Sequence, residues 1–201
     1  MGGFVMHNNR RRWGRVFGRV LLSLAGVAMV GFLLAGVLLS SPAAAPHTVD
    51  AVVVLGGDGR LSLERYARGR DLVLAGYSKR LILFYPSADD LRDASARVPE
   101  VEVVACMPAP GSWGEAKVVS ERMQAEGMRS VMVVSDPPHM LRLRYTWGSI
   151  LRGTGLHYTL VATTPPWWPG WHWWASQDAA QFVGSEVLKL GYYMAKYRFG
   201  W

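Results

Sequence analysis

Apolar and polar positions along this chain follow three different rhythms. From Val20 to Ser41 no residue is charged, and the run is mostly Leu, Val, Ala and Gly. About 20 residues of that kind cross a bilayer as a helix. From Asp50 onward, short apolar runs alternate with mixed ones. Residues 50–55, 80–85, 101–106, 130–134 and 156–162 read as strands, with Val131 to Val134 apolar throughout, as in a parallel strand buried on both faces. Residues 61–75, 87–96, 115–126 and 139–151 read as helices, and Gly76 and Gly127 stand as stops. The third rhythm is the stretch from Thr163 to Trp174, with five tryptophans in the eight residues from Trp167. After it, residues 176–197 read as a long helix with apolar positions 179, 183, 187, 190, 194 and 197 on one face, expected to pack on the sheet. Strands alternating with helices imply βαβ units and right-handed crossovers. The expected fold is a Rossmann-like three-layer α/β sandwich with a parallel sheet of about five strands, preceded by one N-terminal transmembrane helix. The domains expected are a basic tail (1–19), an anchor (20–41), a linker rich in Ala and Pro (42–49) and an α/β domain (50–201).

Charge refines that picture by its position. The net charge is +7, but Arg10, Arg11, Arg12, Arg15 and Arg19 all precede the apolar run. From Asp50 onward there are 17 Lys and Arg against 15 Asp and Glu, a surplus of two. A nucleic-acid binder carries its basic residues as a patch on the folded domain, so no nucleic-acid partner is expected. Arginines before the apolar run and none just after it place the N-terminus in the cytoplasm and the domain outside it. The competing reading is a signal peptide cut after Ala43-Ala44-Ala45, but Pro46 follows that site and the apolar run is long for a signal. The single cysteine, Cys106, lies in an apolar run and reads as a small buried hydrophobe.

Candidate chemistry gathers at predicted strand ends. Gly56-Gly57-Asp58-Gly59 lies between a strand and a helix, where backbone N–H groups face an anion or simply make a tight turn. It is neither a Walker loop nor a dinucleotide fingerprint. Glu64-Arg65 follows on the first helix. Ser112-Trp113-Gly114 ends a loop that starts at Pro108, and Glu115 follows in the first turn of the next helix, where a carboxylate suits the dipole. Ser135-Asp136-Pro137-Pro138-His139 leaves the fourth strand, and His139 and Arg142, three apart, share a helix face. His139 reads as a general acid or base, and Arg142 as a clamp for phosphate or carboxylate; a plain helix start capped by Asp136 is the alternative. The five histidines are scattered and no metal-ligand spacing occurs, so no metal is expected. The tryptophan stretch reads as a bilayer-interface contact, as a lid over an apolar ligand, or as a packed loop.

Taken together, the LGG strand end (Leu55-Gly56-Gly57), the Glu64-Arg65 helix, Glu115 in its loop, and Val134-Ser135 followed by His139, Met140 and Arg142 resemble the YdcF/SanA/ElyC-like family of bacterial envelope proteins. The resemblance covers roughly residues 50–190 and rests most on the last motif. Ser112 and Trp113 stand where that family usually has Asn and Thr, Ala116 replaces a second Asn, and Tyr85-Pro86-Ser87 replaces a Ser-Gly-Gly end of the second strand. The resemblance implies a Rossmann-like domain on a single-pass anchor in the bacterial inner membrane, facing the periplasm. It also implies a role in envelope barrier function, in peptidoglycan or lipid-carrier metabolism, and a nucleotide-like ligand such as S-adenosylmethionine.

Two functions follow as expectations. In the first, Gly56, Gly57, Asp58, Arg65, Ser135 and Arg142 bind a phosphate-bearing ligand, such as an envelope small molecule or lipid phosphate, while His139 with Glu115 or Asp136 moves a proton at a phosphate ester. In the second, the domain is a non-catalytic binding or scaffold protein. The bilayer is the expected partner of residues 20–41 and of Trp167 to Trp174.

Overall fold

The computed structural model describes residues 7–57, 60–106 and 109–198. It divides into two compact units between Ala35 and Gly36. The first is formed by most of α1 (His7–Ser40), which contains a segment, Arg15–Ser40, long and apolar enough to cross a membrane. Its large side chains, such as Leu22 and Val27, are exposed. Apolar surface of that extent along a single helix makes Arg15–Ser40 a candidate membrane span.

The second unit holds a sheet of five strands, all parallel: β1 (Ala51–Val54), β2 (Arg80–Phe84), β3 (Glu102–Cys106), β4 (Ser130–Ser135) and β5 (His157–Ala162), in the order β3-β2-β1-β4-β5. The α/β class and the parallel sheet are therefore as the periodicity predicts. The central strands β1 and β4 are fully buried along their apolar residues, because helices cover both faces. One face packs Val52, Val54, Leu81 and Leu83 against α2 (Arg60–Leu74) and α3 (Ala88–Arg97). The other packs Ala51, Val53, Ile82 and Val133 against α4 (Gly111–Ala125) and α5 (Met140–Ile150), with Trp147 wholly inside. α2 lies so close to β1 that a Cβ on Gly69 would stand 2.2 Å from Val54 Cγ2.

Two elements differ from the sequence reading. α4 starts at Gly111, not Glu115. Pro110 at its N-cap looked like a loop signal, yet proline just before or at a helix start is well tolerated because the missing N–H is an orphan there anyway. The last helix, α6 (Gln177–Arg198), packs mainly on α5 and on two 3-10 segments, Pro137–His139 and Gly170–Ala175, rather than on the sheet. Its buried side chains are Ala179, Val183, Glu186 and Tyr193, with Val187 and Met194 exposed. That stripe follows the 3.6-residue period, whereas an all-apolar stripe required stepping past Glu186.

Candidate functional site

The chain reverses direction along the sheet between β1 and β4: β2 and β3 lie to one side of β1, β4 and β5 to the other. At such a switch point the connections leave in opposite directions and a crevice opens beyond the carboxyl ends of the strands. Here it is a cavity of about 460 Å³, lined by Gly56, Gly57, Arg65, Tyr85, Gly111, Ser112, Glu115, His139, Arg142, Phe182, Glu186 and Lys189.

Local chemistry delivers each group. β4 ends in Ser135, and Pro137 and Pro138 enforce a 3-10 turn that carries His139 back over the strand end to start α5. His139 is buried between two hydroxyls: Ser112 Oγ lies 3.1 Å from Nε2, and Ser135 Oγ 2.9 Å from Nδ1. Arg142 Nη1 donates to Ser112 Oγ at 2.9 Å, and a guanidinium can only donate. Ser112 is then free to donate to Nε2, with Nδ1–H donating to Ser135, which gives each group a partner of the right polarity. Burial holds the His139 imidazole well below its usual pKa, and the positive charges of Arg142, Arg65 and Lys189 act in the same direction. His139 is thus neutral at physiological pH and able to accept a proton.

Ser112 sits in the first turn of α4, whose N-cap Pro110 offers no side-chain cap to the N–H groups behind it. α6 fixes that turn. Trp113 stacks on Tyr197 with ring centroids 3.7 Å apart and planes 5° apart, and the Tyr193 hydroxyl lies against Gly111, whose φ of +65° favours glycine. Arg142 lies over the Tyr193 ring, 4.9 Å from its centroid.

Both arginines carry a buried counter-charge. Arg142 Nε and Nη2 donate to Glu186 Oε2 and Oε1 at 2.7 and 3.0 Å. Arg65 Nε donates to Asp136 Oδ2 at 2.8 Å, and its Nη1 donates to the Gly56 carbonyl. Asp136 also accepts from the Thr163 hydroxyl at 2.8 Å. Glu115 accepts the Gly56 N–H at 3.0 Å. Burial pushes the Glu115 carboxyl above the usual range, while the Gly56 N–H and both arginines pull it back. Tyr85 occupies a positive φ of 54° and presses its ring onto Gly56, where an added Cβ would lie 2.4 Å from Tyr85 Cδ2. The Tyr85 hydroxyl donates to the Ala109 carbonyl at 2.5 Å and accepts the Ala109 N–H at 2.9 Å.

The structure therefore brings Gly56, Gly57, Arg65, Glu115, His139 and Arg142 to one cavity, with Ser135 behind the imidazole. Asp136 is placed elsewhere: it is fully buried and locked to Arg65 and Thr163, and the partners of His139 are Ser112 and Ser135. The Gly56 N–H points to Glu115. Asp58 lies outside the described residues. Sequence reasoning placed Ser112 in a candidate segment without giving it a role, and missed Glu186 and Lys189 as site residues. The one signal for Glu186 was a carboxylate interrupting an apolar helix face. Among the described residues no group of three or more His, Cys, Asp or Glu is placed to hold a metal ion. Comparison of the chain with protein-family models, with curated proteins and with solved structures finds no match.

Proposed function

We propose that this is a membrane-anchored envelope protein of the YdcF/SanA/ElyC kind, whose α/β domain binds a phosphate-bearing ligand and acts on its ester. The observation that carries the reading is the cavity at the switch point, where the uncapped start of α4, Arg142 and Lys189 surround a neutral buried imidazole. A phosphate there would meet N–H and cationic donors. Its charge would also offset the cations that depress His139, making the imidazole a stronger base once ligand is bound. A sulfonium such as S-adenosylmethionine fits less well, because its cation would face Lys189 and Arg142. Residues 20–41 are the anchor, with the N-terminus cytoplasmic and the domain periplasmic.

The test is a thermal-shift series on the full chain in detergent with inorganic phosphate, polyprenyl phosphates, nucleotides and S-adenosylmethionine. A phosphate-bearing ligand at a hundred times its dissociation constant should stabilise by about 2.7 kcal/mol, and Lys189→Gln should weaken it. Stabilisation by none of the phosphate compounds would sink the reading.

The self-pairing of Arg65 with Asp136 and of Arg142 with Glu186 favours a second reading, a non-catalytic binding or scaffold protein. If His139→Ala protein fully complements an envelope-permeability defect, that reading wins.

The tryptophan stretch supports a second membrane contact. Trp168 and Trp173 lie against Gly36, where a Cβ would meet Trp173 at 2.5 Å, and Trp167 packs against Phe182. Trp171 and Trp174 remain exposed, at 61% and 36%. Exposed indoles beside the end of an apolar helix suit the headgroup layer. Replacing both by Ser should make the Trp fluorescence of the reconstituted protein less sensitive to a headgroup-depth quencher; unchanged quenching would count against the contact.

A further inference from the structure

We propose that Ser112 is a nucleophile, activated by His139, that carries the phosphoryl group as a covalent phosphoserine during ester hydrolysis. The inference rests on the phosphate-ester reading above and adds the atom that attacks. Three independent features meet at the Ser112 hydroxyl. It lies 3.1 Å from His139 Nε2, the base-to-nucleophile distance of an activated hydroxyl. The far side of the imidazole is held by Ser135 at 2.9 Å, which fixes the ring and its tautomer. The hydroxyl also opens into the cavity from the first turn of α4, whose N–H groups have no side-chain cap.

The surroundings suit attack on phosphorus. Arg142 Nη1 touches the same oxygen at 2.9 Å, so developing negative charge on Oγ or on an adjacent phosphoryl oxygen meets a cation already in place. Glu186 grips the other two guanidinium nitrogens and keeps Arg142 from swinging away, which makes Glu186 a positioning residue. Trp113 stacked on Tyr197 pins the turn that carries Ser112.

The step balances without any further oxidant or reductant. Ser112 Oγ bonds to phosphorus as the phosphorus–oxygen bond to the alcohol breaks. The hydroxyl proton passes to His139 Nε2 and on to the departing alkoxide, which leaves as alcohol. Water then attacks the phosphoserine. His139 takes a proton from that water and returns it to Ser112 Oγ as the Oγ–phosphorus bond breaks, releasing inorganic phosphate. Water is the only co-reactant.

The test uses the full chain in detergent with p-nitrophenyl phosphate as substrate and a fluorophosphonate as a probe for activated serine. Peptide mass spectrometry should place both the phosphoryl group, after an acid quench, and the fluorophosphonate adduct on Ser112. Labelling should fall at least about 100-fold in His139→Gln, the scale of a lost general base. It should vanish in Ser112→Ala and be unchanged in Ser95→Ala, whose exposed hydroxyl donates to Leu91 O within α3. Ser112→Cys, which keeps a nucleophile, should recover a covalent adduct. Melting temperatures confirm that each variant is folded. A folded wild-type protein that is stabilised by phosphate but never labelled at Ser112 overturns this inference and leaves the binding reading standing. Labelling at Ser112 with no stabilisation by any phosphate compound does the reverse. Equal labelling of wild type and His139→Gln overturns the role of His139.

Discussion

The two ends of the β1–β4 strand pair carry similar polar groups and put them to different uses. At the amino end, Asp50 accepts from the Arg129 N–H at 2.7 Å, the Ser130 N–H at 2.8 Å and the Ser130 hydroxyl at 3.1 Å. The Ser78 hydroxyl donates to the Asp50 carbonyl at 2.9 Å. Donors 79 and 80 residues later in the chain close on this one exposed carboxylate, and together with Ser78 they bind the starts of three strands together. At the carboxyl end, Glu115, Asp136 and Glu186 are buried, and each reaches across the sequence to a different element. They hold a cavity open instead of closing it. The contrast teaches that pairing at the amino end serves register, while pairing at the carboxyl end places Arg142, His139 and Ser112 around a space.

Removing one partner at each end would separate these roles most sharply. Glu186→Ala strands Arg142 in a buried site and should cost about 3–5 kcal/mol. At the amino end, Arg80 bonds Glu102 and Glu126 at 2.7 and 2.6 Å, but the carboxylates are partly solvated, so Glu102→Ala should cost less than about 1 kcal/mol. Denaturant unfolding of the full chain in detergent measures both. The double change Arg142→Met with Glu186→Leu should recover most of the loss, because apolar packing replaces a buried pair at little net cost. A double variant that is stable but fails to react with the fluorophosphonate would place the pair's value in function. Equal losses at Glu186 and Glu102 would erase the distinction between the two ends.

A smaller effect concerns the space itself. Gly56→Ala drives a methyl into the Tyr85 ring and should cost about 1–3 kcal/mol. Tyr85→Gly removes that ring and relieves a side chain held at positive φ, while losing its bonds to Ala109. In the double variant the two changes should couple by about 1 kcal/mol or more, since they share one contact. Additive losses in a double-mutant cycle would show that the ring yields freely.

Much of this arrangement was legible in sequence because apolar runs and glycine stops act locally. β4 and the turn at Pro137 and Pro138 place His139 at a strand end without knowledge of the rest of the fold. The partners of those residues were not legible. Asp136 seemed available to His139, only three residues away, but Arg65, 71 residues earlier, takes it. Glu186 reaches Arg142 across 44 residues, and Ser112 reaches His139 across 27. Side-chain pairing over such separations depends on which helix lies on which face, and periodicity alone does not specify that. Tyr85 shows the same limit: a tyrosine rather than a glycine takes up the left-handed backbone, supported by its hydroxyl pairing with Ala109.

The gentlest way to probe the comparison is pH, because the two ends titrate in different windows. His139 is depressed well below 6.5, chiefly by burial. A base whose folded pKa is lowered contributes its stability above the unfolded value, and that stability drains as pH falls from about 6.5 toward the folded value. Asp50 is lowered below 3.8, first by the Arg129 N–H, against a partial opposing effect of burial. Its contribution stays intact through the His139 window and is lost only in stronger acid. Glu115 runs the other way. Its carboxyl is raised above 4.5 by burial, so it favours the fold at low pH and that benefit disappears as pH rises through the shifted value. Unfolding free energy measured from pH 7 downward should therefore begin to fall just below about pH 6.5. In His139→Gln that first decline should flatten while the strongly acid limb remains. In Asp50→Asn the reverse should hold, with the first decline intact and the acid limb shallower. Glu115→Gln, which keeps an acceptor for the Gly56 N–H, should raise stability near neutrality and leave it unchanged in acid. An early decline that survives His139→Gln would mean that the imidazole between Ser112 and Ser135 is not held neutral by its surroundings, and the carboxyl end would lose its claim to a poised base.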